Sequence, residues 1–215
     1  MIPGKAKLFI FDMGGVAAHN AAVIPAMAEK LGISEDDFFR GAGSDPGAAF
    51  TSPYHLGDIG ALMRGEINSR RFWDNFRERT GRAVRGDPWY DCFDPRPNRE
   101  TAGVITGLRN AGLRVVCGTN TLEAHYRKHR ERGDYGIFDA VYASHRMGII
   151  KPSPEFWVYI LNQEQADPGA AFFTDDLEEN TEAAEKLGIA VHLFTAAEGL
   201  AAVLNAGGYL LLSTS

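Results

Sequence analysis

The chain has 215 residues, of which 45% are hydrophobic and 23% charged, with a formal net charge of −6. That length suits one full α/β domain plus a small insert, and the composition is that of an ordinary globular chain. The acidic balance argues against nucleic acid or an anionic membrane as partner. No segment reaches membrane-spanning length, and two cysteines without a CxxC or zinc spacing fit a reducing, cytoplasmic setting.

In chain order, residues 7–11 (KLFIF) form a short apolar run followed by turn residues, the pattern of a buried strand. Residues 20–90 carry little β pattern. Asn20 is expected to cap a helix with Val23, Ile24, Met27 and Leu31 on one side, closed by Gly32. Ser34 and Asp37 resemble a capping box ahead of Phe38 and Phe39. Residues 41–53, rich in Gly, Ser, Ala and Pro, are expected to be a mobile loop. Ser69 is expected to cap a helix carrying Phe72, Trp73 and Phe76. Residues 87–97, with three prolines, lead back toward the sheet. From 98 to 205 apolar runs at 113–117, 140–143, 171–173 and 190–194 alternate with helical patterns, which predicts a parallel, doubly wound α/β sheet. The basic stretch at 126–132 reads as a solvated helix face. Cys117 and the three tryptophans read as packing residues.

Four predicted strand ends carry groups suited to an anionic ligand, in the place where open parallel sheets bind ligands. Asp12 in FIFDMGGV is a carboxylate held by a buried strand, with Gly14 and Gly15 allowing close backbone approach. Thr119 in VVCGTNT offers a hydroxyl beside backbone N–H groups at a strand end. Lys151 in GIIKPSPEFW sits in a loop constrained by Pro152. Asp175 and Asp176 in FFTDDLEEN are adjacent carboxylates that repel unless a cation is present, and magnesium favours such oxygen ligands.

The order of these segments resembles the four signature motifs of haloacid dehalogenase-like hydrolases. RGEINSRRFW and GIFDAVYASHRMGIIKPSPEFW resemble the branch that includes α-glucose-1-phosphate phosphatase and the phosphatase domain of soluble epoxide hydrolase. The resemblance implies a Rossmann-like core (residues 1–18 and 91–215) with a helical C1 cap (residues 19–90). It also implies a magnesium-dependent phosphatase acting on a small phosphorylated metabolite, sugar phosphate-like, through an aspartyl-phosphate. In that scheme Asp12 is the nucleophile. Mg2+ is held by Asp12, the Gly14 carbonyl and Asp175. Asp176 or Asn180 orients water or Lys151, and Gly14, Gly15, Thr119, Asn120 and Lys151 bind phosphate. A monomer or homodimer is expected.

One departure stands out. The family's usual general acid, an aspartate two residues after the nucleophile, is Gly14 here. Proton donation of that kind is worth about 10²–10⁴-fold in rate. A good leaving group or His19 as substitute acid would compensate. Tyr54, His55 and Arg64 are candidates to line the cap face. A 2-haloacid dehalogenase, or a catalytically weak binding protein of this fold, are the rival readings.

Overall fold

In the computed structural model, which describes residues 6–44 and 57–210, five parallel strands form the central sheet. They are β1 (Leu8–Phe11), β4 (Arg114–Thr119), β5 (Ala140–Ala143), β6 (Ala171–Asp175) and β7 (Ala190–Leu193), in the order β5-β4-β1-β6-β7. A two-residue pair, β2 (Ala18–His19) with β3 (Arg96–Pro97), runs antiparallel outside it. The apolar runs predicted from the sequence are the strands of this sheet, so the α/β class stands.

Alternation along β1 explains the layers. Phe9 and Phe11 face one side, where they meet α6 (Arg99–Asn110) through Ile105 and Leu108 and α11 (Ala197–Ala206) through Leu200 and Leu204. Leu8 and Ile10 face the other, against Phe156, Trp157 and Ile160 of α9 (Pro154–Glu164) and Ala184 of α10 (Glu178–Glu185). Every residue of β1 is buried because both faces of a parallel sheet are covered.

Between β2 and β3 the described chain is helical: α1 (Val23–Leu31), α2 (Glu35–Gly41), α3 (Gly57–Met63), α4 (Ser69–Thr80) and α5 (Pro88–Asp91). These helices bury their own aromatic cluster of Phe38, Phe72, Trp73, Phe76 and Trp89. Leu122 and Ala124, at the start of α7 (Glu123–Arg132), belong to the same cluster. The helices also touch the sheet domain at Gly65. A side chain there would stand 2.1 Å from the carbonyl of His145 in α8 (Ser144–Met147), so only glycine fits the seam.

Several local expectations need correction. Ser34 caps α2 as expected, accepting from the Asp37 N–H at 3.1 Å. The cap of α4, however, is Asn68, which accepts from Arg71 N–H at 2.9 Å, not Ser69. Asn20 does not cap α1, which starts after Ala22 with no side-chain cap. Asn20 is used in the site instead. The basic stretch on α7 is only partly a solvated face: His129 is buried against Asp134 at 2.8 Å, and Arg127 and Lys128 lie over the Tyr90 ring. Of the loop expected at 41–53, residues 45–53 lie outside the described residues, as do Tyr54 and His55.

Candidate active site

The sheet changes winding direction at β1, with β4 on one side and β6 on the other, and the crevice above such a switch point is where ligands bind. The chain after β1 keeps its ladder one residue further, Asp12 N–H donating to the Thr174 carbonyl at 3.0 Å. Asp12 is thereby fixed at the centre of the crevice with 8% of its surface exposed.

Lys151 ties the site together. Its ammonium donates to Asp12 Oδ1 at 2.6 Å and to Asp175 Oδ2 at 2.7 Å, and only 1% of the residue is exposed. The other oxygen of Asp175 accepts from Leu177 N–H and from Asn180 Nδ2, each at 2.9 Å. Asp176 Oδ2 accepts from Asn20 Nδ2 at 3.2 Å. Carboxylate oxygens of Asp12, Asp175 and Asp176 all lie within 4.8 Å of one another.

Burial pushes the Asp12 carboxyl up to about 7, against the pull of the Lys151 ammonium, and the neighbouring charges of Asp175 and Asp176 add to the rise. Burial also raises Asp176, with Asp175 contributing and the Asn20 hydrogen bond opposing. Burial alone would lower the Lys151 ammonium, but the carboxylates of Asp12 and Asp175 reverse this and hold it above its usual value. Three carboxylates facing one ammonium leave excess negative charge. The donor set is all hard oxygen, which suits a small divalent cation such as magnesium.

The loops are held by side chains whose part the sequence did not reveal. Asn120 Nδ2 donates to the Lys151 carbonyl at 2.9 Å, and Asn120 Oδ1 accepts from Lys151 N–H at 2.8 Å. This two-bond clasp locks the loop after β4 to the one carrying the lysine. Ser144 Oγ reinforces it, accepting from Thr121 N–H and donating to the Thr121 carbonyl, both at 2.9 Å. Thr119 is buried at the end of β4. Gly15 has a φ of 76°, and a side chain there would stand 2.0 Å from Asp176 Oδ2. It must be glycine for Asp176 to close over the first loop.

At Gly14, the space where a side chain would begin is bordered by Asn20 Oδ1, 3.3 Å away. The amide of Asn20 therefore crowds the region into which a residue-14 side chain would start, which no sequence spacing indicates. His19 is exposed on β2 and lines the rim of the cavity. The described side-chain hydrogen bonds of Asp12 and Asp176 run to Lys151 and Asn20, not to it. Arg64 pairs with Glu66 at 2.6 Å and is not among the described residues lining the cavity.

A cavity of about 370 Å³ opens from this cluster toward the helical insert. Trp89, Phe93, His125 and His129 line it; the sequence pointed to packing for Trp89 and a solvated face for His129, and singled out neither Phe93 nor His125. The His125 ring stacks on Phe93 with centroids 3.9 Å apart. A clue lay in the helical spacing of His125 and His129, which puts both on one face of α7.

A family model described as haloacid dehalogenase-like hydrolase matches residues 6–188. The chain is 30% identical over 196 residues to sesquiterpene phosphatase astK of Aspergillus oryzae, covering 87% of this chain and 89% of that one. Among solved structures it resembles a HAD-like family hydrolase from Porphyromonas gingivalis (TM-score 0.75, 20% identity, 94% and 97% of the two chains). It also resembles a HAD family enzyme of Bacteroides thetaiotaomicron in complex with magnesium and inorganic phosphate (TM-score 0.69, 23% identity, 89% and 95%). At those identities the structural likeness speaks for the fold.

Proposed function

This chain belongs to the haloacid dehalogenase-like hydrolase family, and from that premise we propose that it is a magnesium-dependent phosphomonoesterase with Asp12 as nucleophile. The observation that carries the reading is the convergence of Lys151 on Asp12 and Asp175, with Asp176 in the same cluster. The phosphatase relative from Aspergillus oryzae and the magnesium–phosphate complex of the Bacteroides enzyme agree with it.

In this reading Asp12, Asp175 and the Gly14 carbonyl would hold Mg2+, which would supply positive charge against the approach of a phosphate dianion to a carboxylate. Lys151 keeps the Asp12 carboxylate oriented and offsets charge on the phosphoryl oxygens. Thr119, Gly15 and the N–H of Asn120 bind those oxygens. Asn180 and Leu177 hold Asp175 at a fixed angle, and Asn20 does the same for Asp176. Attack by Asp12 gives an aspartyl-phosphate that water hydrolyses. The third carboxylate argues against halide displacement, which has no need of a cation and would bear the repulsion for nothing.

The test is hydrolysis of p-nitrophenyl phosphate, whose aryl leaving group needs little acid assistance and so is not masked by Gly14. Turnover should appear with Mg2+ and vanish with a chelator. Turnover of a 2-haloacid without metal would overturn the reading.

A further inference from the structure

We infer that the natural substrate is the phosphate monoester of a bulky apolar alcohol, its hydrocarbon part filling the cavity between the sheet and the helical insert. The inference rests on the phosphatase reading for its chemistry and on the cavity wall for its specificity.

Val23 and Ile24 of α1, Ile59 and Met63 of α3, and Trp89 and Phe93 form the wall on the insert side. Leu122 and Leu177 close it from the sheet side. Away from the carboxylate cluster, no Arg, Lys, Asp, Glu, Ser, Thr, Gln or Tyr lines the cavity among the described residues, and Lys151 is its one cation. The remaining polar groups are Asn120 and Asn180 beside the carboxylate cluster, His19 and Asn20 at the rim, the Trp89 indole N–H, and the imidazoles of His125 and His129.

Burial disfavours the charged form of both imidazoles. Burial lowers His129, which is already bonded to Asp134. Burial pushes His125 down to about 3, so it is neutral. The Nε2 of His125 and the Nε1 of Trp89 are enclosed and without a described partner, so the hydrophobic part of the wall carries two such hydrogen-bonding atoms.

A sugar, nucleoside or amino-acid phosphate would bring several hydroxyls or charges into this space. Each would lose its water without finding a partner. A hydrocarbon loses nothing by entering and gains burial, and a cavity of about 370 Å³ is in the size range of small-molecule pockets. The apolar wall therefore selects against the sugar phosphate that the sequence resemblance suggests.

The reaction balances without a further co-reactant. The Asp12 oxygen bonds to phosphorus as the P–O bond to the alcohol breaks, and the leaving oxygen takes a proton from water. The resulting hydroxide cleaves the acyl phosphate, restoring the Asp12 carboxylate and releasing hydrogen phosphate.

The test compares n-alkyl phosphates of four to twelve carbons with a hexose phosphate and p-nitrophenyl phosphate, all with Mg2+. We expect kcat/KM to rise about fourfold per methylene until the cavity is full, and so on the order of 10²-fold from butyl to octyl. The hexose phosphate should fall below butyl phosphate. Inhibition by n-alkylphosphonates should tighten with chain length in the same way, which reads the cavity without turnover. Ile59→Asn, checked for folding by its melting temperature, should flatten both series.

A flat alkyl series, or a hexose phosphate preferred over octyl, overturns the inference while hydrolysis of the aryl ester leaves the phosphatase reading standing. Phosphonate binding that rises with length, without hydrolysis of any ester, does the reverse. It supports the apolar site and sinks the phosphatase reading.

Discussion

Asp12 and Lys151 illustrate how a functional group is held at a cost to the fold. Asp12 ionises near 7 because it is buried beside two other carboxylates, so above that pH its charge opposes folding. Asp12→Asn should therefore lower turnover of p-nitrophenyl phosphate by roughly 10³-fold or more. Its melting temperature at pH 8 should equal or exceed that of the parent, as read by circular dichroism. Lys151 is the opposite case. Its removal leaves two carboxylates without their ammonium, a loss of about 3–5 kcal/mol for a buried pair. Lys151→Met should melt lower than the parent without metal, and Mg2+ should recover part of the difference. No rise in melting temperature with Mg2+ in either protein would argue against a cation site at these carboxylates.

Gly14 belongs to the same scale. The sequence shows only that a proton donor is missing, whereas the structure shows Asn20 Oδ1 3.3 Å from where a side chain would start. Gly14→Asp alone should be cramped. Gly14→Asp combined with Asn20→Gly should gain on alkyl phosphates relative to the aryl ester, measured as a ratio of kcat/KM values.

At the level of elements, the helices of the insert depend on caps and on one aromatic cluster rather than on propensity. Asn68 satisfies the Arg71 N–H at the start of α4, and that helix supplies Phe72, Trp73 and Phe76 to the cluster. Asn68→Ala should cost about 1 kcal/mol in urea unfolding with an unchanged m-value. Asn68→Ser, which keeps a capping oxygen, should cost much less. The turn after β4 and the one after α8 are a second kind of element, held to each other by the Asn120 clasp, while Ser144 at the start of α8 bonds Thr121.

For the whole molecule, the seam between sheet and insert is where binding and stability meet. His125, on α7, stacks on Phe93 and touches Trp89 of the insert, and its burial holds it neutral down to about pH 3. A histidine depressed this way contributes stability that is complete above its unfolded value near 6.5 and is lost as the pH falls from there toward 3. Between pH 7 and 5 the parent should lose up to about 2 kcal/mol more than His125→Phe, measured by urea unfolding at both values. Equal losses would mean the ring is already open to water.

The sequence by itself determined the α/β class, the order of strand ends and the residues that meet at them. Asp12, Thr119 and Asp175 each stand at the end of a local apolar run and Lys151 directly before a proline, and local pattern is what a chain displays along its length. It also marked the helical character of residues 20–90, because apolar residues recur there at helical spacing. Tertiary structure alone decided the rest. Asn20 bonds to a carboxylate 156 positions away, Asn120 clasps a backbone 31 positions on, and Trp89, Phe93 and His125 turn toward one cavity. Those contacts have no period and no fixed spacing. They exist because two separate apolar cores, one around the sheet and one within the helices, close against each other and leave a space whose walls neither segment specifies alone.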